Sequence, residues 1–178
     1  MIILKVKISL SYVFLSLYII GNYILKVKGQ ISDCAIFKEV VNELGSSKRL
    51  FESDDCCNLI GAVTCENNHI TKIKMNDLKC NGIPEINIEK VVSKLSKLQY
   101  LASLEMSHGS SCPFPLNIQE LKNLKSLTLT GNNYRKDIPE NVSLLAELER
   151  LDLSSNNLRG TIPDSFRNLK KNKTFKFK

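Results

Sequence analysis

The chain has 178 residues, a formal net charge of +7, 43% hydrophobic residues and 24% charged ones. That length holds one domain, or one domain plus a targeting segment, and that apolar share excludes global disorder. With no tryptophan, two histidines and eight glycines, collagen-like, glycine-rich and histidine-rich metal-binding classes are excluded too. The basicity sits at the ends. Residues 1–29 carry Lys5, Lys7, Lys26 and Lys28 and no acid, and residues 165–178 carry six cations and no acid. The stretch 30–164 is left at −3, so the high isoelectric point does not predict a nucleic-acid partner.

Residues 8–25 form an apolar run flanked by lysines. A basic start, an apolar stretch and small residues at Val27 and Gly29 describe a secretory signal cleaved before Gln30. The same run is at the lower length limit for a membrane span, so an uncleaved anchor is the alternative. Either way the remainder leaves the cytosol. Next, Ser32–Leu44 places apolar residues at Ile36, Phe37, Val40, Val41 and Leu44. With Asp33 as N-cap and Gly45 as stop, that spacing predicts one amphipathic helix.

All six cysteines, Cys34, Cys56, Cys57, Cys65, Cys80 and Cys112, follow the apolar run. An even number in an exported chain predicts disulfides, and spacing alone does not choose among their pairings. There is no CxxC pair, and His69 and His108 lack ligand spacing, so no metal is expected. No cofactor is expected either. Asn141 and Asn172 stand in glycosylation triplets, which suit export.

The second half repeats itself. Leu124, Leu127, Leu129, Asn132, Tyr134, Ile138 and Pro139 recur as Leu148, Leu151, Leu153, Asn156, Leu158, Ile162 and Pro163, each offset by 24 residues. Leu101, Leu104, Met106, Phe114 and Pro115 give a copy one residue shorter. Ile70, Ile73, Met75, Cys80, Ile83 and Pro84 give another, stretched by the insertion 85–92. Phe175 and Phe177 fall on the phase of a fifth, incomplete copy. In each unit LxxLxL ends in strand-like alternation, the asparagine amide can bond backbone at a bend, and Ile-Pro starts an extended return. A single unit buries little, so neighbours must stack.

This pattern resembles the leucine-rich repeat, and its GxIP ending resembles the plant-type class. The resemblance implies an α/β solenoid, a short right-handed coil with a parallel sheet on its concave face. Leu78 and Gly109 replace the asparagine in the first two copies, and Lys136 replaces glycine in the third. Less regular first turns are expected. The segment Asp55–Cys65 is similar to the N-terminal cap of plant-type receptors and polygalacturonase inhibitors. The domains are then a signal or anchor at 1–29, a cap at 30–69, and four repeats plus an incomplete fifth at 70–178 without a C-terminal cap. The resemblance implies the pairs Cys34–Cys56 and Cys57–Cys65. Cys80 and Cys112 then sit at adjacent positions of neighbouring turns. Turns spaced ~4.8 Å apart suit a third bridge between them. A buried free cysteine at Cys80 is the alternative.

The candidate ligand-binding residues are the polar ones of the strands: Lys72, Lys74 and Asn76; Ser103, Glu105 and Ser107; Ser126, Thr128 and Thr130; Arg150, Asp152 and Ser154. That face is mixed in charge and poor in aromatics. Five strands ~4.8 Å apart and ~17 Å long offer roughly 400 Å², half the share of one partner in a standard interface. No catalytic motif is present, and His69 and His108 read as ordinary surface histidines without a fixed serine or cysteine partner. The expected role is therefore non-enzymatic. It is an exported module, secreted or on the outer face of the plasma membrane, that binds an extracellular protein or cell-wall polysaccharide as a receptor or inhibitor would. The alternative is a structural or adhesion module anchored in the membrane through residues 8–25, or a truncated receptor ectodomain. An uncapped last repeat exposing Leu169, Phe175 and Phe177 would favour self-association.

Overall fold

The computed structural model describes residues 32–44, 55–59, 61–80, 86–169 and 174–177. The segment 1–29, the helix stop Gly45 and the acceptor Asn172 lie outside them. Residues Asp33–Lys178 form one compact unit.

Six strands build one sheet in chain order: β1 (Val63–Glu66), β2 (His69–Lys74), β3 (Ser103–Glu105), β4 (Ser126–Thr128), β5 (Arg150–Asp152) and β6 (Thr174–Lys176). The first pair is an antiparallel hairpin turning through Asn67 and Asn68, both left-handed at φ 51° and 64°. The other pairs are parallel. Their register aligns Ile73, Leu104, Leu127, Leu151 and Phe175, so the sequence offset is the strand register. The three leucines of this row are fully buried, each stabilising by roughly 1.5–3 kcal/mol relative to exposure.

The return strokes repeat as faithfully. The carbonyls of Pro115, Pro139 and Pro163 accept the N–H of Ile118, Val142 and Phe166. Each proline thus leads into a short 3-10 segment, at Ile118–Glu120, Glu140–Leu144 and Asp164–Asn168. The proline ring holds φ near −60°, as the extended approach requires, and offers no N–H to leave unpaired.

The asparagines join the turns. Asn132 Oδ1 accepts Gly109 N–H at 2.8 Å, and its Nδ2 donates to the Met106 and Thr130 carbonyls. Asn156 does the same one turn on, accepting from Asn132 N–H and Tyr134 N–H and donating to Leu129 and Leu153 carbonyls. The preceding residue is left-handed in every turn: Asp77, His108, Gly131 and Ser155. Gly109 has no room for a side chain, because a Cβ there would meet Asn132 Oδ1 at 2.7 Å.

The first turns differ as their sequence suggested. The insertion read as 85–92 starts a helix, α2 (Ile88–Leu95), that runs three residues past it and is capped by Asn87 Oδ1 accepting Lys90 N–H. Its apolar residues Ile88, Val91, Val92 and Leu95 are buried. The N-terminal helix α1 (Asp33–Glu43) buries Ile36, Phe37, Val40 and Val41 and packs on α2. Lys94 bridges the two helices, 2.9 Å from Glu43, and its ammonium holds the Glu43 carboxyl below the ordinary range against the opposing effect of burial. Asp33 is not the free N-cap expected of it. Its Oδ2 accepts Ile70 N–H at 2.8 Å, which ties α1 to β2.

Three disulfides join Cys34 to Cys56, Cys57 to Cys65 and Cys80 to Cys112. At the other end, Leu169 is buried, a correction to its expected exposure. Phe175 and Phe177 are half-buried against Phe166, with ring centroids 6.1 and 6.3 Å away. The apolar residue left uncovered at that end is Ile162, 51% exposed, whereas its counterpart Ile138 is buried by the following turn.

Removing the asparagine amide leaves buried backbone groups without partners. Asn132→Ala is predicted to cost about 3 kcal/mol in denaturant unfolding, from two or three orphaned groups. Cys80→Ala with Cys112→Ala opens a loop of sequence separation 32 and should cost about 3–4 kcal/mol in the same assay.

Candidate functional site

Strand pairing arranges the candidate residues in rows across the sheet. The first row is Lys72, Ser103, Ser126 and Arg150. The second is Lys74, Glu105, Thr128 and Asp152, continued by Lys176. Asn76, Ser107, Thr130 and Ser154 follow two residues further on.

In the second and third rows the charged groups and most hydroxyls and amides bond to one another. Lys74 lies 3.3 Å from Glu105, and Asn76 Nδ2 donates to the same carboxylate at 3.2 Å. Asn76 Oδ1 accepts Ser107 N–H, and the Thr130 hydroxyl donates to Ser107 Oγ at 2.9 Å. Ser107 is thereby buried, although its strand position had predicted exposure. Asp152 accepts from Ser154 N–H and Ser154 Oγ, with Lys176 at 3.6 Å. Partial burial pushes the Asp152 carboxyl up, but these donors and the Lys176 charge push it further down, to a net position below the ordinary carboxylate value.

The first row is different. Among the described residues, neither Lys72 nor Arg150 has a carboxylate within ion-pair reach. The two cations stand three strands apart, about 14 Å at the usual spacing, with the hydroxyls of Ser103 and Ser126 between them. Arg150 is exposed and Lys72 half-buried. Paired charges spend their field on each other, whereas this row keeps its donors for a ligand.

Both histidines stay at the surface, His108 exposed and His69 half-buried, and each has a defined neighbour. His69 stacks on Tyr100 with centroids 3.9 Å apart, and its Nδ1 is 3.4 Å from Asp33 Oδ2. The His108 ring lies against Gly131, where a Cβ would meet Nδ1 at 2.6 Å. Neither faces a serine or cysteine nucleophile in these contacts. The sulfurs of Cys34, Cys56 and Cys57 lie within 4.8 Å of one another, but all three are disulfide sulfurs and offer no thiolate to a metal. Asn141 is half-buried, and its Nδ2, the atom a glycan would use, donates to the Leu116 carbonyl. Asn117, one turn earlier, reaches back to the Glu89 carbonyl in the same way. Among the described residues no helix is long and apolar enough to cross a membrane, and the run 8–25 lies outside them.

Comparison with known proteins agrees with this geometry. A family profile described as Leucine Rich Repeat matches residues 147–169. No curated protein matches the chain. Among solved structures, the BIR2 ectodomain from Arabidopsis thaliana superposes with a TM-score of 0.56 at 24% identity, over 80% of this chain and 77% of that one. A plant ice-binding protein gives 0.54 at 24% identity, over 81% and 54%. The PEPR1–AtPEP1 structure gives 0.54 at 20% identity, over 79% and 20%. The chain therefore spans about half of the ice-binding protein and a fifth of the PEPR1 chain. At these identities the likeness is one of fold.

The Asp152 cluster makes a pH-dependent contribution. Its folded carboxyl is lowered, so the stabilisation is present above the ordinary value and is lost as pH falls through the lower, folded one. Asp152→Asn should lower the urea midpoint at pH ~7, and the gap between the two chains should narrow as pH falls below the ordinary carboxylate value.

Proposed function

We propose a recognition role for this chain, a leucine-rich-repeat protein of the plant type: it binds an extended segment of an extracellular protein across its concave face. The observation that carries this is the first row, Lys72, Ser103, Ser126 and Arg150. It holds two unpaired cations at fixed separation over a floor of small hydroxyls. Such a row suits a strand-like peptide with carboxylates about four residues apart, since an extended chain rises ~3.3 Å per residue. A polysaccharide bearing carboxylates is the second candidate, and the experiment below separates the two.

The module acts outside the cytosol. Three disulfides need an oxidising compartment to form and persist. Its role is binding without catalysis, receptor-like or inhibitor-like. The face is small, so binding by this chain alone is modest, and loops or a co-receptor would supply the remaining area.

The test is capture of extended acidic peptides, and separately of polyuronate oligomers, on the immobilised chain at low and moderate salt. Lys72→Glu with Arg150→Glu should reduce peptide capture at least tenfold, while Arg159→Glu, an exposed site off this row, should leave it unchanged. Equal capture by all three chains would overturn the concave-face reading. Capture of polyuronate alone would move the ligand class to polysaccharide.

A further inference from the structure

A cavity of about 410 Å³ lies in the loops that follow β3 and β4, away from the first row of the sheet. Its origin is a missing residue. The second turn passes from Gly109 to Phe114 in five steps, whereas the third passes from Asn132 to Ile138 in six. The shorter loop cannot fill the space beneath its neighbour. The Cys80–Cys112 disulfide ties that loop back to the first turn, so it cannot relax forward to close the gap.

The walls are apolar and well supported. Phe114 and Tyr134 face each other with ring centroids 5.0 Å apart at 59°. Leu158, Pro139, Pro113 and the disulfide-bonded Cys112 extend this apolar wall. Leu116 stands at the rim and is 53% exposed. Its counterparts one and two turns on are Glu140 and Asp164, both exposed, so solvent is the ordinary neighbour of this position. A leucine there leaves about half of its surface in solvent. Arg135 and Lys136 also line the cavity, both exposed. Asp137 is the one acid beside them, and its carboxylate lies over Gly160, where any Cβ would collide with it. Apolar walls of this volume with a few convergent polar groups are the usual composition of a small-ligand site.

We propose that this cavity binds a small aromatic anion: its rings lie over the Phe114–Tyr134 pair and against Leu116, and its charge meets Arg135 and Lys136. The site is separate from the concave face and does not depend on the recognition reading. Ring-on-ring contact supplies the apolar part of the affinity, and the guanidinium selects for an anionic group. The Cys80–Cys112 bond acts here as a positioning element, since it holds one wall open.

The probe is anilinonaphthalene sulfonate, two linked aromatic systems with one fixed negative charge, titrated into the intact oxidised chain. Saturable fluorescence enhancement at one site per chain is expected, with ligand-induced shifts at the Phe114 ring and the Leu116 methyls in NMR spectra. Leu116→Glu, which installs the residue type already tolerated at the equivalent Glu140, should abolish the enhancement. Arg135→Gln should weaken it about tenfold, the loss of one charge-assisted contact. The uncharged phenylnaphthylamine should bind about tenfold more weakly than the sulfonate. Ile162→Glu, at the exposed apolar end of the coil, should change nothing. Absence of saturable binding, binding that survives Leu116→Glu, or binding lost in Ile162→Glu would each overturn the proposal. The last would place the dye on the uncovered end.

Discussion

The asparagine amide that reaches from one turn to the previous one is the interaction on which the coil depends. A strand followed by a sharp bend leaves backbone groups pointing into the space between turns. Water cannot enter that space once leucines fill it, so each unpaired group would cost about 1–3 kcal/mol. Asn132 and Asn156 answer with one side chain that both accepts and donates. No carboxylate or hydroxyl could do so with the same reach. The amide has a further effect. It stabilises a bend whose preceding residue is left-handed, even where that residue is His108 or Ser155 rather than glycine.

Where the amide is missing, other bonds take its place. Gly109 holds the asparagine position of the second turn and cannot reach back to the first. That joint is held instead by the Cys80–Cys112 disulfide and by the backbone pair between Leu78, Cys80 and Ser110. Asn76 adds a side-chain bond to Ser107 N–H. The helix α2 fills the outer layer where a 3-10 segment would be too thin to cover α1. The irregular turns are thus stabilised by covalent and helical means, and the regular ones by repetition. The same staple that closes the first joint leaves a gap on the next, because it fixes a loop one residue too short to pack.

The concave face follows the same division between satisfied and available groups. Its second and third rows turn inward on themselves through Lys74, Glu105, Asn76 and Asp152. Those side chains stabilise the spacing of the strands. The first row carries unpaired charge at two points and hydroxyls between them, so its energy is left for a partner. Charge composition alone does not reveal this. Lys72 and Lys74 look alike in sequence, and they differ only in which neighbour the parallel register brings opposite them.

The repeat was legible in the sequence because parallel stacking demands the same residue types at the same phase. A 24-residue offset in leucines, asparagines and prolines maps one to one onto strand, bend and return. The cysteine positions were equally legible, since turns at strand spacing bring Cys80 and Cys112 within reach of each other. What only the tertiary structure decided are properties of pairs from different turns. Asp33 leaves its expected cap for Ile70 N–H, His69 stacks on Tyr100, and Ser107 disappears beneath Thr130. The helix that starts in the insertion and the cavity beside the short turn belong to the same class. Each depends on which surface the next turn presents, and that is set by how the turns stack in three dimensions rather than by the residues of any one turn.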